Sequence, residues 1–177
     1  AGYLLYSLFV RATGERPTGV AVLALALGTQ CPDLVDKTLG WEVGVLPGGR
    51  TLAHSLLTVA VLWAVVTAVT RRYGRLVLGQ AFLVGTLIHV LTDGLYSAIE
   101  GDFADLSYLL WPVLPMPEED AGLSIISMFA EMTLTTTVIF ELGLVALAAG
   151  LWWADGRPGL ATVRTIGRQW LAQLTPR

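Results

Sequence analysis

The sequence predicts an all-α protein: a polytopic helical membrane bundle of about five spans, with a short re-entrant or interfacial segment and a C-terminal amphipathic helix. Three observations predict it. Hydrophobic residues fill 54 % of the 177 positions and charged residues only 14 %, against about 25 % charged in a soluble domain. Mean hydropathy is +0.65. Long apolar stretches recur, divided by short connections rich in arginine, glycine or proline. The net charge of −3 and the lack of a basic, aromatic-studded patch exclude a nucleic-acid partner. The single cysteine, Cys31, excludes an intrachain disulfide and any CxxC metal motif.

The elements follow in order. The opening AGYLLYSLFV has no initiating methionine and reads, over Gly2–Val10, as the end of a truncated or processed helix. A second span is expected from about Pro17 to Gln30, short beside the ~20 apolar residues a crossing needs. Pro32 is expected to end it, because proline disfavours helical geometry in the residue before it. The third span is expected over about Thr51–Thr70, the fourth over about Leu76–Ile99, and the fifth within Ala121–Ala154. The piece SYLLWPVLP is apolar but too short to cross, so it reads as re-entrant or interfacial.

Arginine sets the expected orientation. In an alternating arrangement Arg11, Arg16, Arg71, Arg72, Arg75, Arg157, Arg164, Arg168 and Arg177 share one side, with only Lys37 and Arg50 on the other. The arginine-rich side is therefore expected to be cytoplasmic, with the C-terminus. Residues 1–156 form the transmembrane domain, with an outward-facing polar site. Residues 157–177 form a cytoplasmic tail, in which Leu160, Val163, Ile166, Trp170, Leu171 and Leu174 recur at helical spacing. That pattern predicts an amphipathic helix on the membrane surface.

Three polar clusters interrupt the apolar chain. They are CPDLVDK at 31–37, GGRTLAHSLL at 48–57 and GTLIHVLTDG at 85–94. The alternating arrangement puts all three near the outer face. His89 and Asp93 lie four residues apart, on one face of a helix, and Gly85 one turn earlier permits close approach of a neighbour. Ionisable groups within a span are candidates for function. Each cluster also has a plainer role: a His–Asp hydrogen bond between helices, Asp33 and Asp36 capping a following helix, Arg50 in a salt bridge with Glu42 or an aspartate. Jointly, Asp33, Asp36, His54, His89 and Asp93 offer nitrogen and oxygen ligands for one or two divalent metal ions such as zinc or manganese. Glu131 can reach the same site as base or ligand, whereas Glu141 is expected to bond threonines of a neighbouring helix.

The ordered set of motifs resembles the membrane-bound metal-dependent hydrolase family, the YdjM-like proteins. The matching elements are PDLVD at 32–36, RTLAHSL at 50–56, GTLIHVLTD at 85–93 and LLWP at 109–112. Gly48-Gly49-Arg50 stands where the family has His-Arg-Gly, and Lys37 where a histidine often follows. The resemblance implies metal-assisted hydrolysis with Asp33, Asp36, His54, His89 and Asp93 as the ligand set.

The functional expectation is thus a membrane-embedded hydrolase. Asp33 and His54 would act catalytically, and Arg50 and Ser55 would bind the substrate. A phosphoester or lipid-linked small molecule at the outer interface fits the depth of the site and Arg50, with membrane lipids as the surrounding partners. The alternatives are a scaffold or partner-binding protein with a structural metal, and an ion-coupled transporter. A transporter needs a polar path through the inner half, where little beyond Gln80 and threonines is available.

Overall fold

The computed structural model describes residues 1–116, 124–130 and 132–174. Glu131 and Arg177 lie outside the described residues, which contain helices and no strand. The helices are α1 (Gly2–Ala12), α2 (Gly19–Lys37), α3 (Leu56–Arg72), α4 (Leu76–Asp93), α5 (Leu95–Glu100), α6 (Ile125–Ala130), α7 (Thr136–Ala154) and α8 (Leu160–Leu174). A π-helical turn, Thr38–Glu42, prolongs α2, and a 3₁₀ helix, Asp105–Leu110, follows α5.

Three segments among these are long and apolar enough to cross a membrane: Gly19–Glu42, Leu76–Asp93 and Thr136–Ala154. The expectation of about five spans is therefore too high by this measure. Helix α1 has 11 residues and α3 has 17, so at 1.5 Å per residue they reach about 16 and 25 Å of a ~30 Å hydrocarbon layer. Val61, Val65, Val69, Ile139 and Leu147 are exposed, and α7 buries no residue in the protein. So much apolar surface suits lipid as the neighbour rather than water.

The centre of the bundle is the α2–α4 pair. Leu25 and Leu83 are fully buried between the helices. Two glycines allow this approach: a Cβ on Gly28 would run into the backbone of Phe82, and one on Gly85 into the carbonyl of Leu25. Small residues at the contact are how membrane helices gain packing energy.

Pro32 does not end the second helix. It lies buried inside α2, which runs on to Lys37. Proline has no N–H for the carbonyl four residues back, here that of Gly28. The buried Thr86 hydroxyl of α4 lies 3.2 Å from this carbonyl and 3.1 Å from that of Phe82, and shares its proton between them. The neighbouring helix thereby meets an acceptor that α2 cannot satisfy.

Two further boundaries differ from expectation. The third helix begins at Leu56, not Thr51, because Ser55 caps it by accepting the N–H of Leu57. The fourth ends at Asp93, and Gly94 turns the chain into α5. A Cβ on Gly94 would meet Leu106 at 2.7 Å and the Tyr108 hydroxyl at 2.8 Å, so the 3₁₀ helix packs directly over this turn.

At the other end, Tyr3, Ser7 and Arg11 of α1 all donate to the Asp155 carboxylate just after α7. Burial opposes the charge of Asp155, yet these three donors hold its pKa below the ordinary carboxylate value. Helix α8 follows, with Val163, Ile166, Trp170 and Leu171 exposed.

Candidate metal centre

The site forms where α2 and α4 end and α3 begins. Asp33 and Asp36 project from the last turns of α2, and His89 and Asp93 from those of α4. His54 comes from the turn before α3, not from the helix itself.

Asp36 explains that turn. Its carboxylate is fully buried and accepts the backbone N–H groups of Thr51 at 2.7 Å, Ala53 at 2.9 Å and His54 at 3.2 Å. Even in a helix begun at Thr51 these N–H groups would be among the first four, which have no intrahelical acceptor, and the carboxylate supplies one. The same carboxylate lies 2.9 Å from His54 Nδ1. An acceptor there assigns the Nδ1 proton and leaves Nε2 as the atom that faces the site. Asp36 is therefore engaged in holding His54, whereas the sequence placed it among direct ligands.

Beyond it, three donor atoms form a triangle. His54 Nε2 is 3.2 Å from His89 Nε2 and 3.5 Å from Asp33 Oδ1, and His89 Nε2 is 3.6 Å from Asp33 Oδ1. Ligands at the ~2.0–2.1 Å of a tetrahedral zinc centre stand about 3.3 Å apart, close to each edge. A hydrogen bond can link the two rings, but it leaves the carboxylate oxygen over. Lys37 Nζ comes within 2.9 Å of Asp33 Oδ1 as an ion pair, yet that oxygen is buried without a hydrogen bond. A single cation can serve all three atoms. The other predicted ligand, Asp93, has Oδ2 4.0 Å from His54 Nε2, just outside the triangle.

Charge points the same way. Four carboxylates, Asp33, Asp36, Asp93 and Asp105, meet two cationic side chains, Lys37 and Arg50. A divalent cation would balance the difference.

Asp36→Ala tests the supporting role. It leaves the backbone donors of the turn unmet and the His54 ring unaimed. Loss of such an outer hydrogen bond weakens metal binding by about 10–100-fold, to be measured by competition with a chromophoric chelator. Unchanged affinity would make Asp36 irrelevant to the centre.

Arg50 and Ser55 were expected to bind substrate. Arg50 pairs with Asp105, at 2.9 and 3.3 Å, and its NH1 lies 3.9 Å from Asp93 Oδ2. Burial disfavours the guanidinium charge, but Asp105 more than offsets this and raises its pKa. Asp105 is in turn held below the usual carboxylate value: burial opposes its charge, and Ser97 and Arg50 outweigh it. The Ser55 hydroxyl is buried and donates to the Trp111 carbonyl at 2.6 Å, tying α3 to the apolar LLWP piece. Glu141 is exposed on α7.

Sequence reasoning missed Tyr108. The residue is fully buried, edge-on to His54 with ring centroids 6.2 Å apart, and Arg50 lies over its ring at 5.0 Å. Burial, then Asp93, pushes its pKa up to about 12, so the hydroxyl keeps its proton near neutral pH. In SYLLWP it reads as one more interfacial aromatic, and nothing in its sequence context marks it out.

The family model described as YdjM inner membrane protein matches residues 1–171. No curated protein and no solved structure matches the chain.

Proposed function

Because the chain belongs to the YdjM inner membrane protein family, we propose that its donor triangle serves a membrane-embedded, metal-dependent hydrolase acting on a phosphoester, lipid-linked or otherwise, at the outer membrane interface. The observation that carries this reading is the arrangement of His54 Nε2, His89 Nε2 and Asp33 Oδ1, the last without a hydrogen bond. When bound, zinc or manganese supplies Lewis-acid polarisation and a water acidified toward a pKa of ~7. Asp33, His54 and His89 would hold the ion, with Asp36 aiming the His54 ring. Arg50 stands beside the triangle, where it can meet anionic charge developing on a phosphoryl oxygen. Asp93 is left to the substrate.

The number of ligands favours catalysis over a structural metal. Structural zinc closes its shell with four protein ligands, whereas a catalytic ion keeps one position for water or substrate. Here three ligand atoms are gathered, and the next carboxylate oxygen lies 4.0 Å from His54 Nε2. A transport path gains no support from the inner half, where Gln80 donates to Thr67 at 3.0 Å. The orientation proposed is arginine side in, since Arg11, Arg71, Arg72 and Arg75 sit at helix ends opposite the triangle.

The test is hydrolysis of p-nitrophenyl phosphate and of a lipid phosphoester by detergent-solubilised protein. Activity should appear with zinc or manganese, vanish with chelator and return on adding the metal back. A metal-bound protein that turns over neither compound would leave the structural role standing instead.

A further inference from the structure

Among the described residues, three buried side-chain polar atoms lack a hydrogen bond: Asp33 Oδ1, Asp93 Oδ2 and Tyr108 Oη. Folded proteins leave few such atoms unmet, and each needs an explanation. Asp33 Oδ1 and Asp93 Oδ2 lie 3.5 and 4.0 Å from His54 Nε2, and the Tyr108 ring stands edge-on to the same histidine. Asp33 Oδ1 belongs to the donor triangle. The other two remain when a cation has been assigned.

They differ in kind. A phenol with its proton in place is a donor, and a carboxylate oxygen is an acceptor. The Tyr108 hydroxyl sits over Gly94, the residue after Asp93. Arg50 lies over the Tyr108 ring and 3.9 Å from Asp93 Oδ2, and it adds positive charge at the same place. A ligand group that completes this set must accept from the phenol and donate to the carboxylate. It must also tolerate a guanidinium and a cation.

We infer that Tyr108 and Asp93 form a subsite for a terminal phosphate monoester bound as its monoanion, the form that keeps one proton below a second pKa of about 6, its P–OH donating to Asp93 and a P–O⁻ oxygen accepting from Tyr108. The inference rests on the metal-dependent reading above and narrows its substrate class. A phosphodiester has no P–OH, so it can use the phenol but meets the Asp93 carboxylate with lone pairs only. Repulsion between those groups disfavours it, and the pairing therefore selects the monoester monoanion over diesters. A lipid phosphate and a soluble phosphate share this chemistry.

The experiment uses full-length, zinc-loaded protein in phosphatidylcholine nanodiscs, with zinc content measured first. Inorganic phosphate and dimethyl phosphate are titrated calorimetrically into wild type and Tyr108→Phe, which keeps the ring and loses only the donor. Wild type should bind inorganic phosphate at least about tenfold tighter than dimethyl phosphate. Tyr108→Phe should weaken phosphate binding about tenfold, the size of one charge-assisted hydrogen bond, with zinc content unchanged. Nanodiscs containing phosphatidic acid distinguish the sources: competition with free phosphate supports a lipid-borne monoester, and its absence supports a soluble one. The inference is overturned by equal phosphate affinity in Tyr108→Phe, by equal affinity of wild type for dimethyl phosphate, or by no phosphate binding at all. Wild type that holds no zinc overturns the metal reading; zinc retained with binding indifferent to Tyr108 overturns this inference alone.

Discussion

His89→Ala protein is expected to lose its bound divalent metal. Wild type purified without chelator, then soaked in zinc or manganese and desalted, should carry about one ion per chain if the triangle of nitrogen, nitrogen and oxygen is a ligand set. His89→Ala removes one corner, 3.2 Å from His54 Nε2 and 3.6 Å from Asp33 Oδ1. Asp33→Ala removes the corner that supplies negative charge. Either loss should exceed the about 10–100-fold cost of losing an outer supporting hydrogen bond, so desalted variants should be nearly metal-free by elemental mass spectrometry. Cys31→Ser, at a half-buried position outside the triangle, should bind as wild type does. Equal metal in wild type and both ligand variants would remove the basis of the centre.

The second large effect is expected from Gly28→Leu. At this position α4 leaves no room for a side chain, because the first atom added would meet Phe82 backbone rather than a movable side chain. The helices must separate, and overpacking of this kind costs about 1–3 kcal/mol, occasionally more. The contrast is Gly143→Leu on α7, where nothing lies within 4 Å of an added Cβ. Thermal melts in one detergent should show a marked fall in Tm for the first and almost none for the second. Gly28→Leu should also lose metal affinity, because α2 carries Asp33 and α4 carries His89 on either side of the contact. A Gly28→Leu protein that melts and binds metal like wild type would mean that the α2–α4 contact is not tight.

The helical membrane class was legible because composition and apolar run length report solvent directly. The gathering of Asp33, His54 and His89 was legible for a related reason: polar groups are costly in apolar runs, so their positions along the chain carry information. What sequence could not separate was ligand from support. Asp33 and Asp36 lie three residues apart on one helix, and only the fold shows that Asp36 is consumed by the Thr51–His54 turn. The late start of α3 follows from the Ser55 cap, with the Asp36 carboxylate holding the non-helical turn that precedes it. Pro32 was read by its local rule, which a hydroxyl 54 positions further along, on Thr86, overrides. Tyr108 was overlooked because an aromatic in an apolar segment is ordinary until its hydroxyl is seen to lack a partner.

That Thr86–Gly28 bond bears on alignment as well as on polar satisfaction. Helices that touch through small, smooth surfaces can slide along one another with little resistance. A single directional bond fixes the axial offset between them, as a dowel fixes two plates. Asp33 stands just beyond Pro32 on one helix, and His89 stands three residues beyond Thr86 on the other. The span between two corners of the triangle is thus referenced to a peg about one turn below it, so little positional error accumulates between reference and site. The proline, by withholding one N–H from its own helix, is what makes that peg available.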